Sequence, residues 1–297
     1  MSIHSESLPA EQNNRPLNAE RDLQPSSLQN QLDPNNPPWT LLQAILTWVG
    51  SVALLLLPQI LAIPYLISHY RGVQPTKEVL FADKTFVLIN VLGIVPSHAL
   101  ILLLVWGVVT RMGKISWRKA LGWSWKPPFR LRESAVLAIL LFIVAMVVIY
   151  NFGGQETDLE RLLQSSRITA LIIAVIAATS APLVEEIVYR GILYSALQRA
   201  AGPLLAIIVV TSLFAGLHVL QYWPDKGAIS AIALLSLALT IVRARTGRLL
   251  PCFVIHLVFN GIQSLIIILD PYVRALYHLW RHDSVARAVS GIWRCLG

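Results

Sequence analysis

The sequence predicts an all-α, polytopic membrane protein: a bundle of about seven or eight transmembrane helices. Of its 297 residues, 55% are hydrophobic and only 13% charged, and the mean hydropathy is +0.61. A soluble domain carries about 25% charged residues. The apolar residues gather in runs long enough to cross roughly 30 Å of hydrocarbon. The 24 Lys and Arg lie mostly at the ends of those runs, where they anchor and orient spans among lipids. That placement gives the net charge of +8 a membrane role and argues against nucleic acid as a partner. Two cysteines, Cys252 and Cys295, match neither zinc spacing nor a disulfide framework.

Residues 1–38 are rich in Asn, Gln, Pro and Ser, lack the pattern of a secretory signal, and read as a disordered N-terminal tail. The unit 39–133 holds two spans and a connection. The first span runs from Trp39 to about Tyr70, with Pro58 and Pro64 placed to kink it. The second covers about Phe86 to Thr110 and contains His98, read as a hydrogen-bonded core residue. The connection Arg111 to Glu133 is basic and rich in Trp, including Lys114, Trp117, Arg118, Lys119, Trp123 and Trp125. It marks the cytoplasmic side and is expected to lie in part flat on the membrane.

The unit 134–271 carries five more spans. They cover about Ser134–Tyr150, Ile168–Arg199, Gly202–Trp223, Gly227–Val242 and Leu249–Leu269. The loop holding Glu156, Asp158 and Glu160 is poor in basic residues, as an outer loop should be. Arg243, Arg245 and Arg248 make a second cytoplasmic turn. Alternation from a cytoplasmic N-terminus puts both basic segments inside. The tail 272–297 is basic and amphipathic. It is either an eighth, irregular span over Tyr272–Trp293 or an interfacial helix, and His282 and Asp283 in its middle favour the interface.

Polar residues inside these runs carry the functional argument. Ala181-Pro-Leu-Val-Glu-Glu-Ile-Val-Tyr-Arg-Gly191 places Glu185 and Glu186 in an apolar helix, with Arg190 four residues after Glu186. Such a pair closes on one helix face. An ionisable side chain at the centre of a span costs about 3 kcal/mol or more, so it marks either a functional interior site or an ion pair that locks helices together. His218 follows Phe214 at the same spacing on the next span, and Asn260 follows His256 on the last. At about 1.5 Å rise per residue, all four groups fall between the basic ends of their helices and mid-depth, where they can meet.

A carboxylate, two imidazoles and a carboxamide in a low-dielectric pocket suit hydrolysis. Burial makes a carboxylate a stronger base, and imidazole and amide N–H groups can stabilise an oxyanion. Glu185, His218 and His256 could alternatively bind Zn²⁺ with an open water position, although no His-Glu-x-x-His helix is present. Transporters also place charges within spans, but no internal repeat supports that reading.

The ordered set Glu-Glu-x-x-x-Arg-Gly, Phe-x-x-x-His and His-x-x-x-Asn resembles the CPBP family of intramembrane proteases, which includes Rce-type CAAX prenyl endopeptidases and bacterial Abi-type proteins. The resemblance covers about Ile168 to Leu269. It implies a glutamate-type endopeptidase cleaving a peptide bond at the cytoplasmic side of a plasma membrane, bacterial by the family's breadth. Glu185 would activate water with help from His218, while His256 and Asn260 would form the oxyanion hole. Glu186 and Arg190 would shape the site beside Phe214, and Tyr189 would line the pocket. No cofactor is favoured, with Zn²⁺ the alternative that older readings of the family imply. The partners implied are membrane lipids and a peptide or protein substrate, prenylated or otherwise membrane-anchored in some relatives; nothing in the sequence encodes a prenyl pocket. Members standing beside peptide-toxin genes imply a non-proteolytic scaffold or immunity role as the other reading.

Overall fold

The computed structural model describes residues 33–282, with side chains described as far as residue 272. Among the described residues, seven helical segments are long and apolar enough to cross a membrane: Leu41–Tyr70, Lys84–Thr110, Leu131–Phe152, Arg167–Ala201, Pro203–Tyr222, Lys226–Thr246 and Leu250–Tyr272. They match the seven expected runs to within a few residues. The protein is thus an integral, multi-pass membrane protein, all-α in class.

The first span is two helices, α1 (Leu41–Leu54) and α2 (Leu57–Tyr70). Thr40 starts α1 with a capping box to Gln43. The break falls where the sequence leads one to expect it. Pro58 has no N–H to give the carbonyl of Leu54, but it is tolerated in the first turn of a new helix. After the short helix α3 (Lys77–Ala82), Asp83 caps the second span, α4 (Lys84–Thr110), through the N–H groups of Thr85 and Phe86. The hydroxyls of Tyr65 and Tyr70 also donate to it. Partial burial pushes the Asp83 carboxyl up, but these four donors outweigh it and hold the group below the usual carboxylate range.

The basic connection departs from expectation. It forms a single helical turn, α5 (Trp117–Ala120), in place of a flat amphipathic helix. Gly122 and the Pro127–Pro128 pair stop helix growth. Trp117 packs edge-on against Trp123, whose ring lies 5.1 Å from that of Phe253 on the last span. The Trp-rich loop is therefore folded onto the bundle.

The third span is α6 (Leu131–Phe152), followed by α7 (Asp158–Ser165) with a Thr157–Glu160 capping box. The fourth is broken into α8 (Arg167–Ala178), α9 (Ser180–Glu185), a wide π-helical turn over Glu186–Leu193, and α10 (Tyr194–Ala201). Then come α11 (Pro203–Tyr222), α12 (Lys226–Thr246) and α13 (Leu250–His282). Because α13 runs through Pro271 without turning back, no eighth span begins before His282. Residues 283–297, with Asp283, Arg287, Arg294 and Cys295, lie outside the described residues, as do residues 1–32 of the expected tail.

Two apolar cores flank the broken fourth span. One joins Ala44, Ile101, Val105, Ile192 and Phe214 from the first, second, fourth and fifth spans. The other joins Ala138, Leu235, Leu239, Ile255 and Phe259 from the third, sixth and seventh. The polar side chains of the fourth span lie at the seam between them.

Candidate functional site: a buried carboxylate–imidazole cluster

The break in the fourth span has a chemical cause. Pro182 cannot donate to the carbonyl of Ala178, so α8 ends there and the chain restarts at Ser180. The interruption leaves carbonyls without helical partners. Ala177 O accepts Asn260 Nδ2 at 3.0 Å, an amide from the last span filling a gap in the fourth. Asn260 retains a second N–H.

Beyond Glu185 the helix widens. Glu186 and Arg190 are both fully buried and pair at 3.0 Å, as the i,i+4 spacing predicts. Arg190 is satisfied further by Ser236 Oγ at 2.8 Å, Ser236 O at 3.1 Å and Thr240 Oγ1 at 3.3 Å on the sixth span. Its guanidinium also lies over the Phe214 ring at 4.6 Å. A buried ion pair is tolerable only with such additional bonds, because each charge has lost its water.

Glu186 Oε1 accepts a second hydrogen bond, from His256 Nδ1 at 2.8 Å. Glu186 is ion-paired and can only accept, so Nδ1 of His256 carries hydrogen. The other face of that ring points at Glu185, with Nε2 3.7 Å from Oε2. The adjacent carboxylates thus have different surroundings. Glu186 is sealed between an arginine and an imidazole at 3.0 and 2.8 Å, whereas the side chain of Glu185 keeps 25% exposure and has the His256 ring near it, at 3.7 Å.

His218 reaches the cluster through Phe214. Its ring stacks on Phe214 with centroids 4.5 Å apart, and Phe214 lies 6.1 Å from the His256 ring and 5.1 Å from Tyr189. His218 Nδ1 is 2.8 Å from the carbonyl of Phe214. A carbonyl only accepts, so Nδ1 donates and Nε2 of the neutral ring is left with its lone pair.

The structure therefore draws Glu185, Glu186, Arg190, Tyr189, Phe214 and His256 together, sets His218 against Phe214, and seats Asn260 one helical turn beyond His256 on the fourth-span break. Both imidazoles have Nδ1 occupied and Nε2 directed away, which is also the arrangement of metal-binding histidines. Among the described residues, however, no three His, Cys, Asp or Glu side chains are grouped closely enough to hold a metal ion. Glu185 and His256 as placed form only a partial ligand set.

Sequence reasoning missed several members. His98 Nδ1 is 2.9 Å from Ser180 Oγ, so it is hydrogen-bonded as expected, but it also lies within electrostatic reach of Glu185 on a different span. Ser236, Thr240 and Arg243 were not connected to the site. Their i, i+4, i+7 spacing places them on one face of an apolar helix, a signal that was available.

A polytopic helical bundle with a carboxylate–imidazole cluster at the seam of its fourth, fifth, sixth and seventh spans defines the class: a membrane protein with an interior polar site. The family model described as type II CAAX prenyl endopeptidase Rce1-like matches residues 167–262, about a third of the chain and the part that carries every residue of the three motifs. The resemblance read from those motifs is borne out, and the match supports a CAAX-type intramembrane protease in general terms. No curated protein and no solved structure matches the chain.

Proposed function

We propose that this protein is an intramembrane endopeptidase in which Glu185 activates a water molecule for attack on a peptide bond. The observation that carries this reading is the unequal pair of adjacent carboxylates. Glu186 is committed to Arg190 and His256, while Glu185 is partly exposed and faces the far edge of the His256 ring. Glu185 removes a proton from water, and the resulting hydroxide bonds to the scissile carbonyl carbon. His218 Nε2 holds the water's other hydrogen. The spare N–H of Asn260 and Nε2–H of His256 then face the oxyanion. For His256 this requires the doubly protonated ring, since Nδ1–H is already given to Glu186. Collapse of the tetrahedral intermediate breaks the C–N bond, and the proton held by Glu185 goes to the leaving amine.

A positioned general base contributes about 10²–10⁴-fold to rate. Glu185→Gln and His218→Ala should therefore reduce cleavage of a membrane-anchored peptide by that order, with the protein still folded and inserted. Normal cleavage by both variants would overturn the reading. The mechanism uses no resident metal. Activity that is lost to a chelator and restored by Zn²⁺ would replace it with the metal version.

Cleavage is assigned to the cytoplasmic side, with the N-terminus inside. The basic ends of the second, fourth and sixth spans support this orientation: Arg111, Arg199 and Arg243 all bond to residues 34–39 at one end of the bundle. A peptide substrate that is lipidated or otherwise membrane-anchored suits a site reached from that side.

A further inference from the structure

Arg243 was expected at the membrane interface, as one of three basic residues in a turn. It is instead fully buried, and among the described residues no carboxylate lies within ion-pair distance of it. Asp33 acts on it only from farther away. Its donors go to three oxygens: Arg190 O at 3.1 Å, Asn35 Oδ1 at 2.9 Å and Pro34 O at 2.8 Å. The Tyr194 ring lies 5.5 Å from the guanidinium.

The first of these oxygens belongs to the π-helical turn. Tyr194 N–H reaches back five residues to Tyr189 O, one further than in an α-helix, and the carbonyl it steps over is that of Arg190. Arg243 Nε fills that position. A second carbonyl of the same turn, Ile192 O, accepts the indole N–H of Trp39 at 3.1 Å. Two carbonyls of the segment that carries Glu186 and Arg190 are thus held, directly or through Arg243, by the chain just before the first span.

That chain has a built seat. A side chain at Gly247 would meet Asn35 Nδ2 at 2.7 Å, and one at Gly122 would meet Pro34 Cγ at 2.9 Å. Both glycines have positive φ, 65° and 66°, so each is also favoured by its backbone. Arg199 donates to Pro37 O and, at 2.7 Å, to Trp39 O, and Arg111 donates to Pro38 O at 2.8 Å. Residues 33–39 form a strap across one end of the bundle, fastened to three spans.

We propose that Arg243 is a positioning residue which, together with the strap residues Asn35 and Trp39, fixes the π-helical turn and so sets Glu186, Arg190 and His256 in register with Glu185. The strap lies outside the family-matched segment 167–262, so its contacts tie the site to a part of the chain that the match does not cover. The inference rests on the peptidase reading only for its kinetic consequence.

The test uses the full chain in lipid nanodiscs, with Arg243→Lys, Asn35→Ala and Trp39→Phe. Two things are measured: cleavage of a membrane-anchored peptide, and amide hydrogen exchange over 186–193. Misplacing a catalytic array by about 1 Å costs on the order of 10²-fold. Arg243→Lys should lower kcat toward that value with KM unchanged within about twofold, and Asn35→Ala and Trp39→Phe should lower it less. Exchange over 186–193 should rise in all three while that of the third span stays as in the wild type. Unchanged exchange over 186–193 in the folded Asn35→Ala and Trp39→Phe proteins overturns the proposal, whatever becomes of Arg243→Lys. So does a rise in KM with kcat intact. If exchange responds but the wild type cleaves nothing, the coupling stands and the peptidase reading alone falls.

Discussion

The third and sixth spans are similar in length and lie against each other, yet they are built on opposite rules. The third is the most apolar of the seven, and only 11% of its apolar stretch is buried within the bundle. The residues it buries are small or hydroxylic: Ser134, Ala138 and Ala145. The sixth is the least apolar, and 44% of it is buried. Its buried residues include Ser236, Thr240, Arg243 and Thr246. In water the more apolar helix would be the inner one. In a bilayer, lipid tails solvate Leu and Val as well as protein does, so apolar bulk faces outward while small and polar groups make the interhelical contacts. Hydropathy therefore locates spans in this chain, but for these two it ranks burial in reverse.

That contrast can be broken or sharpened by substitution, with stability measured by unfolding in one detergent or nanodisc. The largest effect is expected at Arg190→Ala, which leaves Glu186 a buried, half-compensated carboxylate. Removing one partner of a buried pair costs about 3–5 kcal/mol, and a loss under about 1 kcal/mol would mean that the seam is wet. Next comes Ala138→Leu on the buried face of the third span, where overpacking should cost about 1–3 kcal/mol. The smallest is Val147→Leu on the lipid face of the same helix, where Val147 is 57% exposed. A change within about 0.5 kcal/mol is expected there. If Val147→Leu were as damaging as Ala138→Leu, the third span would not be a lipid-facing helix.

Much of this was legible in the sequence because it depends on local rules. Seven runs of membrane length, the Glu186–Arg190 pair and the Pro58 break follow from spacing and from the missing proline N–H. The His256–Asn260 face and the Phe214–His218 stack follow from i,i+4 geometry. What stayed hidden depends on contacts distant in sequence. Residues 33–38 look like any Asn- and Pro-rich tail until Gly122 and Gly247 are seen to leave room for them. Arg243 reads as a surface anchor because two other arginines follow it closely. His98 lacks a partner nearby in sequence because its partner, Ser180, is 82 residues away. The π-helical turn leaves no trace in Glu186–Leu193, whose residues would suit an ordinary helix.

That wide turn has a consequence for how one rod serves two neighbourhoods. In a regular α-helix each residue advances the facing direction by about 100°, so one residue accommodated as a bulge swings everything beyond it by that angle. Upstream, Glu186 looks toward His256; downstream, Tyr194 and Ser195 are buried in turn, where an unbroken helix would have pointed them elsewhere. Shortening 186–193 by a single residue would restore a uniform helix and turn one of these two sets away from its present partners.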